Sequence, residues 1–149
     1  MPKLLSFLIL LTITGCSNVQ PLESSAKQAT SSETPKTTFP FTLVSSLNNY
    51  AVSINLESDD VAKQYGLFIK YKYTGNGYSY EGLIMQIVEE LDKDLLNHIT
   101  FDSEAGAFYA RIDTEENQFK FVNLLSPIFS DLTKLEEWLK KADRSKIND

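Results

Sequence analysis

The sequence predicts an α+β fold over residues 41–149, an antiparallel sheet with helices packed on one face. Three observations predict it. Short segments alternate apolar and polar side chains, the two-residue period of a half-buried strand. Longer segments repeat apolar residues every three or four positions, the period of a helix lying on a core. The segments follow the mixed order strand, strand, strand, helix, strand, strand, helix, helix, not the regular alternation of a parallel sheet.

The strands come first. "YAVSINL" sets Tyr50, Val52, Ile54 and Leu56 against Ala51, Ser53 and Asn55. "FTLVSSL" just before it is the expected partner, with the turn at Asn48 and Asn49, because Asn tolerates positive φ. "LFIKYKY" alternates again, Leu67, Ile69, Tyr71 and Tyr73 against Lys70 and Lys72, and predicts a third strand. "HITF" and "AFYARI" predict two more, turned by "DSEAG". In that pair Phe101 and Phe108 point inward, since Asp102 and Tyr109 follow them on the opposite face.

Three helices account for the remainder. In "YEGLIMQIVEELDKDLL", Ile84, Ile87, Val88, Leu91 and Leu95 recur at helical spacing, with Glu81 expected in the first turn, where it suits the helix dipole. "DTEENQFKFVNLLS" opens with Asp113 and Glu116 in a capping-box spacing. Phe121, Val122 and Leu125 form its apolar face, and Pro127 predicts an end or kink near Ser126. "TKLEEWLKKA" repeats the capping spacing with Thr133 and Glu136. Leu132, Leu135, Trp138 and Leu139 form its stripe, which places Trp138 beneath the helix.

The N-terminus has a different character. Lys3 precedes an apolar run from Leu4 to Ile13, then Thr14, Gly15 and Cys16. The run is shorter than the about 20 residues a bilayer-spanning helix needs. It fits the apolar centre of a secretory signal. "ITGC" resembles the lipobox of bacterial lipoproteins, which assigns residues 1–15 to a signal peptide and makes Cys16 the lipidated first residue of the mature chain. Cys16 is the one cysteine, so no intramolecular disulfide is available. Ser17 in place of Asp implies, by the same resemblance, the outer membrane facing the periplasm in a Gram-negative source. Residues 16–40 are rich in Ser, Thr, Pro and Gln and read as a flexible tether, with a mean reach of roughly 25–30 Å.

Little in the sequence points to chemistry. His98 is the single histidine, beside Ile99 at a helix end, and reads as a boundary residue bonded to backbone. No cluster of His, Cys and carboxylate with metal spacing occurs, so neither metal nor cofactor is expected. "GNGYSYEG" lacks the Gly-Lys-Ser/Thr of a phosphate loop. No G-x-S-x-G elbow is present. Asp102 and Glu104 lie in a predicted turn, where water keeps a carboxyl from the raised pKa an acid catalyst needs. No basic excess supports nucleic-acid binding.

Charge is more informative. Residues 41–149 hold 18 acids and 11 bases, a net of −7. Residues 89–116 alone hold nine acids and two bases, which is the whole imbalance. An acidic stretch bordered by aromatic rings suits a basic protein partner. Its candidate contacts are Glu89, Glu90, Asp92, Asp94, Asp102, Glu104, Tyr109, Glu115 and Glu116.

Two segments carry a resemblance. Gly75, Asn76, Gly77, Tyr78, Tyr80 and Glu81 are followed by Phe101, Asp102, Glu104, Ala105 and Phe108, and then by a closing helix pair. The pattern resembles the immunity protein 51 family, with Tyr80 where a Trp is often found. The resemblance implies a small protein that binds a toxin of the cell's own polymorphic-toxin arsenal and has no catalytic role. A lipoprotein leader is unusual for such proteins and implies a toxin that acts in, or passes through, the cell envelope. The alternative from the leader alone is an envelope scaffold lipoprotein that binds an assembly partner or peptidoglycan.

Overall fold

The computed structural model describes residues 33–47 and 49–148. Cys16 and the leader lie outside them, as does Asn48 of the expected turn. The chain opens with β1 (Thr42–Ser46) and β2 (Asn49–Asn55), paired from Thr42 opposite Ser53 to Ser46 opposite Asn49. The turn begins at Leu47, which holds a positive φ of 29°, while Asn49, expected in the turn, is the first residue of β2 opposite Ser46. After α1 (Ala62–Lys70) and α2 (Gly77–Leu91), a 3-10 turn at Lys93–His98 leads into β3 (Ile99–Phe101) and β4 (Ala107–Ile112). Helices α3 (Glu115–Phe129) and α4 (Leu132–Lys141) follow.

The sheet is antiparallel throughout, in the order β1-β2-β4-β3. Two hairpins thus meet along β2 and β4, from Tyr50 opposite Ile112 to Asn55 opposite Ala107. Val52, Ile54, Phe108, Ala110 and Ile112 face the helices and are buried. The other face carries Ser53, Tyr109 and Arg111. Phe41, one residue ahead of β1, seats its ring edge-on against Phe108, Phe121 and Phe129, with centroids 6.4, 5.8 and 5.6 Å away. Just before it, the carbonyl of Phe39 accepts hydrogen bonds from the Ser126 and Ser130 hydroxyls, at 2.7 and 3.0 Å.

The expected third strand is a helix. Leu67–Tyr73 does alternate, but Leu67–Lys70 is the last part of α1 and Tyr71–Tyr73 lie beyond its end; the helix buries Gln64 and Phe68, with Val61 buried at its N-cap. Gln64 donates to the Phe129 carbonyl at 3.2 Å, so a polar residue interrupts the apolar spacing. The helix ends in a left-handed turn at Lys72 (φ 63°), with Tyr73 N–H bonded to the Phe68 carbonyl at 3.0 Å and Lys72 N–H to Ile69 at 2.9 Å. Gly usually fills that position, and Lys hides the stop signal.

The helix ends also differ. α2 starts at Gly77, capped by the Asn76 side chain, which accepts from Ser79 N–H at 2.9 Å. Glu81 therefore sits beyond the first turn. The same helix stops at Leu91, which is exposed, and Leu95 reaches the core from the 3-10 turn instead. Thr114, not Asp113, caps α3, and Asp131, not Thr133, caps α4. The α3 helix runs through Pro127 to Phe129. A proline inside a helix costs about 3 kcal/mol. Burial of Ile128 and Phe129 beyond it, at about 1.5–3 kcal/mol each, offsets that. Trp138 is only half-buried, while Leu135 and Leu139 form the buried side of α4 and Leu132 is exposed.

Candidate partner-binding surface

The two sequence motifs meet in space. Gly77 N–H donates to the Ala105 carbonyl at 3.3 Å. A Cβ on Gly77 would stand 2.0 Å from the Glu104 carbonyl oxygen and 2.2 Å from that of Ala107. The first turn of α2 is therefore pressed onto the β3–β4 turn, backbone against backbone. Gly75 supplies a positive φ of 69° beneath the Tyr65 ring. The Ser79 hydroxyl accepts from Gly75 N–H at 3.1 Å. Tyr80 is fully buried and stacks on Phe68 at 4.3 Å and on Phe129 at 5.9 Å.

The Tyr80 hydroxyl has no hydrogen-bond partner among the described residues. Burial pushes its pKa well above the ordinary tyrosine value. Phe108 is buried and Phe101 half-buried, their rings 6.2 Å apart. Most of the motif thus builds the scaffold. Tyr78, Asp102, Glu104 and Ala105 are its members left at the surface, and Glu81 is half-buried.

The acidic candidates do not form one face. α2 spans 15 residues, roughly 22 Å at 1.5 Å per residue, from the β3–β4 turn to the 3-10 turn at Lys93–His98. Asp102 and Glu104 sit at the first end. Asp102 pairs with Arg111 across the open side of the sheet, close to half-buried Tyr109. Asp92, Asp94, Glu115 and Glu116 lie at the other end, where His98 meets Asp113 (Nδ1 to Oδ2, 2.6 Å) and the His98 carbonyl accepts from Asp113 N–H at 3.2 Å. His98 is thus bonded to a carboxylate through its ring, where a backbone partner was expected. Hydrogen bonds from Asn117 and then His98 hold the Asp113 carboxyl below its ordinary pKa.

Glu89 and Glu90 turn sideways, toward the C-terminal segment. Glu89 pairs with Lys146 at 3.0 Å and Glu90 with Lys141 at 2.8 Å. The Lys146 ammonium lowers the Glu89 pKa. Glu116 pairs with Lys120 one turn along α3, at 3.2 Å. Among the described residues, no salt bridge engages Asp94, Glu104 or Glu115.

Two features carried no local sequence signal. Glu136 joins α4 to α1, accepting from Lys70 Nζ and the Tyr71 hydroxyl at 2.6 Å each. Those two bonds hold its carboxyl down at about 2. The other is a groove between α2 and α4. Among the described residues, no group of three or more His, Cys or carboxylate side chains is placed to hold a metal. Nor is any helix among them long and apolar enough to cross a membrane.

The class defined by this fold is a small single α+β domain whose two motif segments are spent on internal packing and whose surface is a mosaic of acids, ion pairs and tyrosines. The family model for immunity protein 51 matches residues 41–144, and the chain belongs to that family. The match covers the whole sheet and all four α-helices. No curated protein and no solved structure matches the chain.

Proposed function

We propose that this chain is a lipid-anchored immunity protein that binds and neutralises a cognate toxin acting in, or passing through, the cell envelope, without catalysing a reaction itself. The family match over residues 41–144 carries the reading. The leader that precedes Cys16 supports the envelope, and the lipid on Cys16 would hold the domain at the membrane. The acidic ends support a basic partner surface: exposed charges raise the association rate and are screened by salt, while aromatic side chains supply buried anchors.

The test is co-expression with a candidate toxin domain, sought among the genes that neighbour this one. Wild type is expected to bind it and to restore growth. Cys16→Ser should lose the membrane fraction and protect less, and an unmodified thiol on wild-type Cys16 by mass spectrometry would remove the anchor from the proposal. Glu115→Lys with Glu116→Lys should leave folding unchanged, slow association and flatten its salt dependence. Equal association rates at low and moderate salt would reduce that end to a solvated face.

A further inference from the structure

A groove of about 300 Å³ runs between α2 and the segment from α4 to Lys146. Leu83, Trp138 and Ala142 form its apolar base, and Gln86, Glu89, Glu90, Lys141 and Lys146 make the rest of its lining polar. Two ion pairs cross it, Glu90 with Lys141 and Glu89 with Lys146. The Lys141 ammonium lies 3.3 Å from the centroid of the Trp138 ring and 2.8 Å from the Glu90 carboxylate. An aromatic face below and a carboxylate beside it make a cation site, and a side chain of the same chain occupies it.

The occupant is held weakly. Lys141 and Glu90 are 47% and 57% exposed, and exposed lysine–carboxylate pairs contribute little. Within the groove Glu89 and Glu90 are matched by Lys146 and Lys141, so an incoming cation takes the place of a lysine and does not add to it. Glu89 and Glu90 stand in the last turn of α2, which holds no basic residue, where the helix dipole already places partial negative charge. Lys141 has a second favourable position, at the C-terminal end of its own helix α4.

A guanidinium fits this site better than an ammonium. It is planar and weakly hydrated, stacks on an indole, and gives a carboxylate two parallel N–H bonds. We infer that the groove is an arginine-recognition site, in which Lys141 is an exchangeable placeholder and an arginine side chain of a protein partner takes its place on Trp138 and Glu90. The partner's being a toxin rests on the function proposed above. The arginine site itself does not.

The test uses the full chain and two capped tripeptides, Gly-Arg-Gly and Gly-Lys-Gly, followed by fluorescence. Trp138 is the one tryptophan in the chain, so the signal reports this groove. Lys141→Ala empties the site and should bind the arginine peptide at least about tenfold more tightly than wild type. Adding Glu90→Gln should return affinity to the wild-type level or below. The lysine peptide should bind Lys141→Ala several-fold more weakly than the arginine peptide. Should Lys141→Ala unfold by circular dichroism, Lys141→Met keeps the aliphatic stem and serves instead. Equal affinities for wild type and the emptied variant would overturn the inference, as would equal responses to the two peptides. These titrations contain no toxin: failure to capture a toxin with arginine binding intact would sink only the immunity reading.

Discussion

The two ends of α2 are built on opposite principles. At its start, Gly77 lies against the carbonyls of Glu104 and Ala107, Asn76 caps the helix, and Tyr80 is stacked between Phe68 and Phe129. Contacts there are short, and Gly77 and Tyr80 are buried. At its end, Glu89 and Glu90 reach across a groove to two exposed lysines. A close-packed interior transmits any added atom as strain, whereas exposed ion pairs exchange partners at little cost. The first region specifies the fold. The second is free to be a recognition surface.

The sharpest way to break this comparison is Gly77→Ala. Helix propensity favours Ala over Gly, by about 1 kcal/mol in a helix interior and less at the first helical position that Gly77 occupies. The clash with two carbonyl oxygens should reverse the sign, with a loss of at least about 4 kcal/mol in denaturant unfolding. A neutral or stabilised variant would show that the α2 start is not pressed onto the β3–β4 turn.

A smaller loss is expected from Trp138→Ala. The ring is half-buried against the groove, so about 2 kcal/mol should disappear, less than a fully buried ring would cost. Lys141→Ala beside it should stay within about 0.5 kcal/mol of wild type, as exposed pairs do. If the lysine variant were the more damaging of the two by chemical denaturation, the groove would be structural.

Tyr80→Phe should move stability upward. The ring stacks survive, and an unsatisfied buried hydroxyl leaves, worth about 1 kcal/mol. Lower stability in the same measurement would mean that the hydroxyl has a hydrogen-bond partner.

The smallest effect is acid-dependent and tests the charged surface elsewhere. The Glu136 carboxyl is lowered in the folded chain from an ordinary 4.5 to about 2, by Lys70 first and Tyr71 second. A depressed carboxyl stabilises the fold above its unfolded pKa and loses that contribution as pH falls through the folded one. Wild type should therefore melt slightly above Glu136→Gln at pH 6, with the gap closing between pH 4.5 and about 2, and it should shrink in high salt. A gap that persists at pH 2 would show that Glu136 acts there through packing.

Much of the fold was legible. The β1–β2 pair, the β3–β4 hairpin, the apolar faces of α2 and α3 and the inward phenylalanines follow from periods of two and 3.6 in neighbouring residues. The α1 helix was not legible, because Gln64 occupies a core position and Lys72 stands where Gly would mark the stop. The caps of α3 and α4 were misplaced by one and two residues, since Asp, Thr and Glu compete for the same donors within a few positions. Pro127 misled because a local penalty was overruled by burial on both sides of it.

The candidate surface divides the same way. That residues 89–116 are acidic, that Cys16 follows a lipobox-like segment, and that two motifs stand in a given order are properties of adjacent residues, and the sequence by itself determined them. Which acids are paired was decided only by the tertiary structure. Glu89 meets Lys146 from 57 positions away, and Lys70 meets Glu136 from 66. No local period records such a meeting. It exists because the core sets α2 beside the C-terminal segment and α1 beside α4, and the charges at those borders pair with whatever the packing brings within reach.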